Sequence, residues 1–142
     1  MFTGKHDRSL DAQYRLAVPP AFRTAFVDGG GRLAPGDRCV ALFTEEAFAG
    51  VRDRLNEKVR SGEADDDYAR RFYGLTHRVE LDGQSRFPLN EDLRKHAGID
   101  REVTIVGHDN RLEIWDAAAY RELYAVQTPA DLSGEIRRLR VF

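Results

Sequence analysis

One short segment occurs twice in the chain, and this internal repeat constrains the fold more than any other feature of the sequence. Residues 9–23 read SLDAQYRLAVPPAFR, and residues 80–94 read ELDGQSRFPLNEDLR. An offset of 82 − 11 = 71 aligns Asp11 with Asp82, and the same offset aligns Arg15 with Arg86. Because an apolar strand and a short helix follow each copy of Leu-Asp-x-Gln-x-Arg, the sequence predicts two equivalent units.

A second match extends the repeat towards the end of each unit. An offset of 72 places LFTEEAF (42–48) over IWDAAAY (114–120), so that Thr44 and Asp116 both stand where a helix N-cap is expected. The chain has 142 residues, and a unit of half that length buries too little apolar surface to be more than marginally stable alone. We therefore expect the two units to share one core about a pseudo-twofold axis.

The organisation of the chain follows from this repeat. Residues 1–60 form the first half, and residues 76–127 form the second. Between them, the acidic run SGEADDD and the segment YARRFYGL predict a polar connection with a helix over 61–75. Residues 128–142 are a C-terminal tail in which Leu132, Ile136 and Leu139 have helical spacing, although Gly134 weakens that helix.

Composition limits the class of function. With 42% hydrophobic and 32% charged residues and a formal net charge of −2, the chain is typical of a globular protein. It does not coat nucleic acid through bulk positive charge, although a local basic patch is compatible with these values. The sequence lacks a bilayer-length apolar run and a secretory signal, and it has a single cysteine, Cys39. We expect a cytoplasmic protein without membrane partners.

Motifs for catalysis or metal binding are weak. The four histidines stand apart from one another without zinc-ligand spacing, and GGGR lacks the Lys-Ser/Thr ending of a phosphate-binding loop. No serine lies in a nucleophile-elbow context. The sequence therefore predicts a protein that is not an enzyme and that holds neither a metal nor a cofactor.

The repeated motif itself has a chemistry suited to recognition. An Asp at the start of a tight turn accepts backbone N–H groups, and this fixes the turn. An Arg at its far end presents a planar fork that suits a phosphate or the O6/N7 edge of guanine. The candidate contact residues with this chemistry are these arginines, the glutamines that suit adenine, and nearby cations that suit phosphate: Arg15, Arg86, Gln13, Gln84, Arg8, Lys5 and Arg23. Asp11 and Asp82 are predicted to shape the loops.

A simpler interpretation of the motif is available. Asp11 and Arg15 can pair across their own turn, as can Asp82 and Arg86, and such exposed pairs contribute only about 0 to 1 kcal/mol. Duplication of a segment would copy this turn chemistry whether or not it binds anything. From the residues alone, the two interpretations stand about even.

The motifs together resemble one family. MFTG, LDAQYRLAVPPAFR, LDGQSR and LEIWDAAAY are similar to segments of the MraZ family of bacterial regulators, and the similarity covers essentially the whole chain. This resemblance implies an α+β fold, a double swapped-hairpin AbrB-like β-barrel of two pseudo-twofold related halves with flanking helices. It also implies a nucleoid-associated, ring-like homo-oligomer that binds repeated DNA boxes upstream of division and cell-wall gene clusters through Arg15 and Arg86.

The chain departs from the family pattern immediately before each motif arginine. Members of the family commonly have Gly there, whereas this chain has Tyr14 and Ser85. Glycine adopts positive φ at little cost, and tyrosine does not. Either the turn differs in this protein, or the strain is tolerated.

We therefore predict a sequence-specific DNA-binding transcriptional regulator that acts as a homo-oligomer. The alternative is a protein-interaction module, antitoxin-like or a scaffold, that uses the same loop tips to bind another protein.

Overall fold

The structure is a computed structural model that describes residues 1–125 and 128–142. The strands are β1 (Lys5–Ser9), β2 (Arg15–Ala17), β3 (Gly31–Pro35), β4 (Val40–Phe43), β5 (His77–Val79), β6 (Arg86–Pro88), β7 (Glu102–His108) and β8 (Arg111–Asp116). The helices are α1 (Pro20–Arg23), α2 (Glu45–Arg60), α3 (Asp66–Leu75), α4 (Glu91–Ala97), α5 (Ala117–Tyr124) and α6 (Pro129–Leu139). Within these described ranges, every helix is too short or too polar to cross a membrane.

The repeat is visible in the order of the strands. Six strands form one antiparallel sheet in the order β1-β7-β8-β4-β3-β5. The sequence offsets relate β1 to β5, β3 to β7 and β4 to β8. When each strand is replaced by its repeat equivalent, the strand order read from one edge becomes the order read from the other edge. At its centre, Val40 lies opposite Ile114 and Leu42 opposite Leu112, and the offset of 72 exchanges these two pairs. The sheet is therefore two-fold symmetric about the contact between β4 and β8.

The two halves exchange strands throughout the structure. β1 of the first half pairs with β7 of the second, and β5 of the second half pairs with β3 of the first. β2 and β6 pair with each other in a separate two-stranded sheet, in which Leu16 lies opposite Phe87. Each half thus completes its sheet with a strand from the other, which is the shared core that the repeat predicts.

Part of the predicted fold class is confirmed. The protein is a mixed α+β structure with antiparallel strands, but among the described residues the six-stranded sheet is open, ending on β1 and β5, and no closed barrel forms. The resemblance also implies a swapped hairpin, whereas β1 and β2, on either side of residues 11–15, belong to different sheets. They diverge because each strand pairs with the other half. This pairing buries Leu16 and Val18 in the shared core.

The helices begin and end close to their predicted signals. Thr44 caps α2 by accepting the Ala47 N–H, and Asn90 caps α4 by accepting the Leu93 N–H at 3.0 Å. Gly98 ends α4 in the left-handed conformation, with φ of 64°. The first helix is short, as the repeat predicts: α1 ends at Arg23, and residues 24–26 continue as a 3₁₀ turn.

Two apolar clusters hold these elements together. The main cluster lies between the two sheets, where Leu16, Phe87, Leu42 and Leu112 from both halves are almost fully buried. A smaller cluster around Phe43, Phe48 and Phe72 fixes α2 and α3 to the outer side of the sheet. The main cluster holds β2 and β6 in place, and these strands carry the loops described next.

Candidate nucleic-acid interface

Pairing of β2 with β6 brings the two repeated motifs side by side. We call residues 11–15 the first tip loop and residues 82–86 the second tip loop. The Val18 N–H donates to the Ser85 carbonyl, and the Leu89 N–H donates to the Tyr14 carbonyl, both at 2.9 Å. An offset of 71 converts one of these bonds into the other, so each loop is attached to the opposite half in an equivalent way.

The first tip loop is organised by its aspartate. One carboxylate oxygen of Asp11, Oδ1, accepts the backbone N–H groups of Gln13 and Arg15, each at 2.9 Å. The other oxygen, Oδ2, accepts from Arg15 Nε at 2.8 Å. The Arg15 carbonyl in turn accepts the Asp11 N–H at 3.0 Å, which closes the loop.

The second tip loop repeats this arrangement bond for bond. Asp82 Oδ1 accepts the N–H groups of Gln84 at 2.8 Å and Arg86 at 3.0 Å, and Oδ2 accepts from Arg86 Nε at 3.0 Å. Arg86 Nη1 also lies 3.5 Å from Asp11 Oδ2, which connects the two loops. Both aspartates thus shape their loops as the sequence predicts.

The Asp–Arg pairing of the simpler interpretation is therefore present, and its geometry is compatible with recognition. Each aspartate binds its own arginine through Nε, and a guanidinium has four further N–H groups on its terminal nitrogens. Among the described residues, the terminal nitrogens of Arg15 have no hydrogen-bond partner. Arg15 and Arg86 are 33% and 24% exposed, which leaves part of each fork accessible to a ligand. The carboxylate thus orients the guanidinium through Nε and leaves N–H donors on the terminal nitrogens available for a ligand.

The loop conformation answers the question raised by Tyr14 and Ser85. Both residues adopt positive φ, 58° for Tyr14 and 60° for Ser85, so the turn keeps the geometry that suits glycine. The ring of Tyr14 lies 3.8 Å from the Arg94 guanidinium and 4.9 Å from that of Arg101, and it packs against the main core. These cation–π contacts offset the cost of roughly 1–2 kcal/mol for a left-handed non-glycine residue. Contacts with two residues of the other half therefore compensate the strain at Tyr14.

Substitution at position 14 separates backbone strain from packing. We expect Tyr14→Ala to be less stable than Tyr14→Gly by about 1 kcal/mol, because both remove the ring but only alanine keeps the left-handed strain. Ser85→Gly is the matched change in the other loop, where we expect a gain of up to about 1 kcal/mol. Urea denaturation of the three variants measures these differences. Equal stability of Tyr14→Ala and Tyr14→Gly would contradict the strain at this position.

Three further arginines surround the tip loops. Arg23 Nε donates to the Val18 carbonyl at 2.8 Å, and Arg94 donates to the Leu89 carbonyl, an equivalent bond in the other half. Arg101 Nη1 donates to the Asp11 carbonyl at 2.7 Å. These contacts bring five arginines together with two aspartates, so the tip region is basic although the chain carries a net charge of −2.

Sequence reasoning found only part of this arginine set. It predicted Arg23 as a phosphate contact but assigned no such contact to Arg94 or Arg101. The available signal was the repeat, since an offset of 71 aligns Arg23 with Arg94. No such signal exists for Arg101, because glycines occupy the corresponding positions in the first half.

The remaining predicted contact residues lie at different distances from the tip loops. Gln13 and Gln84 are exposed in the tip loops, one residue before the positive-φ position. Arg8 lies near the end of β1 that leads into the first tip loop, where its Nη1 donates to the Asp7 carbonyl. Lys5 begins the same strand, about 13 Å along it from Ser9, with its ammonium 5.7 Å from the Tyr120 ring. The structure therefore does not bring Lys5 to the tip loops.

The aspartates of both loops are held in their ionised form. Backbone hydrogen bonding from Arg15, followed by its side chain and by the Gln13 N–H, lowers the pKa of Asp11 from 3.8 to about 2 despite partial desolvation. The pKa of Asp82 is lowered for the same reasons, with the Arg86 N–H first among them. Because these pKa values are depressed in the folded state, the ionised loops stabilise the fold above the unfolded pKa. That contribution is lost as the pH falls through the folded pKa.

A carboxyl titration by NMR tests this account of the first tip loop. We expect the Asp11 signal to titrate near pH 2 in the native protein. In Arg15→Ala, the midpoint should rise but stay below 3.8, because the backbone N–H donors remain after the side chain is removed. A native midpoint at or above 3.8 would contradict the observed hydrogen-bond pattern.

Fold and site together define a class: an internally duplicated, strand-exchanged α+β protein that presents two equivalent arginine-tipped loops. Comparison with known proteins then identifies the family. Residues 72–138 match the family described as "MraZ protein, putative antitoxin-like". The chain therefore belongs to the MraZ family, as the following relatives show, and the resemblance in the motifs is confirmed.

Relatives from distant bacteria match most of the chain. A protein of Clavibacter michiganensis subsp. michiganensis is 36% identical over 123 residues, which cover 86% of this chain and 85% of the relative. Another from Acidithiobacillus ferrooxidans is 34% identical over 84% of this chain and 85% of its own length. A third from Alcanivorax borkumensis is 30% identical over 98% of this chain and 99% of its own length. Each is named "Transcriptional regulator MraZ", so the family is one of transcriptional regulators.

Proposed function

We propose that this protein is a transcriptional regulator that binds double-stranded DNA sequence-specifically through its two tip loops. The observation that carries the proposal is the junction of the loops, where Asp11 accepts from both Arg15 and Arg86. Two forks oriented by carboxylates and held on one rigid ribbon are pre-organised for neighbouring groups on a ligand. The two arginine forks are therefore oriented before contact.

The chemistry of the loops favours nucleic acid as that ligand. Terminal guanidinium nitrogens pair with guanine O6 and N7 or with phosphate oxygens, and a glutamine amide pairs with adenine. Arg15 and Arg86 supply the forks, and Gln13 and Gln84 are the exposed amides beside them. The surrounding arginines, with Arg8 at the edge, supply phosphate contacts. The acidic connection at residues 63–67 then belongs away from the DNA.

One subunit with two loops binds weakly, so the proposal includes a homo-oligomer. Several copies on one face, in a ring-like assembly, bind repeated promoter boxes with an avidity set by effective concentration. The family resemblance points to boxes upstream of the division and cell-wall gene cluster, and to a nucleoid-associated protein in the cytoplasm. We further propose that the strand exchange is a duplicated form of the AbrB-like swapped hairpin, with 1–60 and 76–127 as its halves.

A second candidate function is a protein-interaction module. The family description includes the words "antitoxin-like", and the same loop tips would then bind a protein partner. The two functions differ in their dependence on salt and on nucleic acid. A stoichiometric protein partner in a pull-down, with no salt-dependent DNA shift, would favour this candidate.

A mobility-shift series tests the proposal. The probe is the DNA upstream of the protein's own gene, and the control is a shuffled duplex of the same composition. We expect retardation of the promoter probe with an affinity that falls with salt, by a slope of roughly −0.9 per phosphate contact. Equal binding of both duplexes would contradict sequence specificity, and no binding at about 50 mM salt would contradict the function itself.

A further inference from the structure

We propose that α6 of one subunit docks into the groove between α1 and α2 of the next subunit. This inference rests on the homo-oligomeric part of the proposed function and names its interface. It uses two surfaces of the chain that the tip loops do not involve. One is an uncovered apolar helix face, and the other is an open groove whose walls include several small residues and both signs of charge.

The helix face is formed and uncovered. Leu132, Ile136 and Leu139 are 66%, 38% and 55% exposed, and their spacing of four and three residues places them on one side of α6. Thr128 and Asp131 close a capping box, so the start of α6 is capped by residues of its own chain. A formed helix with three exposed aliphatic side chains in one stripe is typical of an interaction surface.

The groove has the shape to receive such a helix. Its volume is about 790 Å³, and it is bounded by α1, the following 3₁₀ turn, the N-terminal part of α2, residues 1–3 and the turn between β7 and β8. Ala21, Ala25, Ala47 and Gly50 line its walls, and the ring of Phe22 lies among its lining residues. Small wall residues allow a helix to approach to the 8–10 Å at which helices pack. The volume is sufficient for the three aliphatic side chains of α6.

Charges on the two surfaces are complementary. Glu46 and Asp109 line the groove, and Arg137 and Arg140 lie at the C-terminal end of α6. Within residues 1–125 and 128–142, none of these four side chains forms a salt bridge. Such a charge pattern orients one surface on the other and disfavours the reversed arrangement.

The occupant is a second copy rather than the same chain. In its own subunit, α6 keeps its apolar stripe exposed, so it does not fill its own groove. A contact between two different surfaces of identical chains is heterologous, and repeated rotation about it closes a ring or extends a filament. The proposed interface therefore also explains how one chain assembles into a ring-like oligomer.

Complementary variants test the proposal. Ile136→Glu places a charge in the stripe, and Ala25→Trp fills the groove from an exposed position, so neither affects the core. We expect each variant alone to weaken self-association by about 30-fold or more in native mass and sedimentation measurements. Mixed together, they retain one intact helix and one intact groove. The mixture should then form a 1:1 dimer and nothing larger.

Each alternative outcome has a defined meaning. If Ile136→Glu is monomeric but Ala25→Trp assembles as the native protein does, the stripe packs on another stripe and the groove assignment is wrong. If both variants self-associate as the native protein does, the proposed interface is wrong. A monomeric native protein that still binds its promoter probe would remove the oligomer but not the DNA-binding function. If a variant loses its circular-dichroism signal, disulfide cross-linking of Ala25→Cys to Leu132→Cys in separate chains replaces it, and absence of the cross-linked pair then overturns the proposal.

Discussion

Arg15→Ala and Arg86→Ala are expected to abolish most of the DNA affinity while leaving the fold intact. A well-placed arginine fork contributes about 1–3 kcal/mol of discrimination, so each single variant should lose about 5- to 150-fold in affinity and the double variant at least about 30-fold. The fold survives because Asp11 and Asp82 keep their backbone N–H donors after either side chain is removed. Fluorescence anisotropy at fixed salt measures the loss.

Two control variants make this result specific to the tip loops. Arg121→Ala removes an exposed arginine from α5 and should change affinity by less than about twofold beyond its effect on net charge. Arg15→Lys keeps the charge but loses the planar fork, so it should fall between the native protein and Arg15→Ala. Tight, specific binding by the double alanine variant would refute the proposed role of both loops.

Leu16→Ala is expected to destabilise the whole protein rather than its first half. Leu16 is 1% exposed at the centre of the β2–β6 pair, and a buried Leu→Ala change costs about 2–5 kcal/mol. The only tryptophan, Trp115, lies in β8 of the second half. Because the halves exchange strands, we expect urea unfolding followed by Trp115 fluorescence to show a single transition. The free energy of unfolding from that transition should fall by about the same 2–5 kcal/mol.

The matched control for this change is Val27→Ala. Val27 is 67% exposed in the first half, and its truncation should change the free energy of unfolding by less than about 0.5 kcal/mol. All variants are compared at one protein concentration, since self-association adds to apparent stability. A Trp115 transition that Leu16→Ala leaves unchanged would indicate two independently folding halves.

Much of the architecture was predictable because the repeat encodes it. The offsets of 71 and 72 predicted two equivalent units, their shared core and the caps at Thr44 and Asp116, and each cap forms from residues close together in the chain. The pairing of strands was not predictable in the same way. A hairpin and a strand exchange need the same alternation of apolar residues, and only packing between halves distinguishes them. The open six-stranded sheet is therefore a property of the tertiary structure.

In the tip loops, too, some features follow from neighbouring residues in the sequence and others depend on residues far away in the chain. Aspartate-shaped turns follow from the motif alone, and both loops have them. The tolerance of Tyr14 at positive φ depends on Arg94 and Arg101, which are 80 and 87 residues away in the chain. A contact of that separation leaves no pattern in a single sequence. Ser85 achieves the same φ with a small side chain, so the loops match in backbone geometry but differ in how they are supported.

The most direct test of the central claim is site-specific cross-linking of the tip loops to promoter DNA that carries tethered thiols. Gln13→Cys and Gln84→Cys place a thiol at each exposed tip, and Glu63→Cys is an exposed control in the acidic connection. Native Cys39 does not interfere, because burial raises its pKa to about 12. We predict disulfide cross-links from both tip positions and none from the control. Cross-linking of the control alone, or equal cross-linking of all three positions, would contradict DNA binding through the paired tip loops.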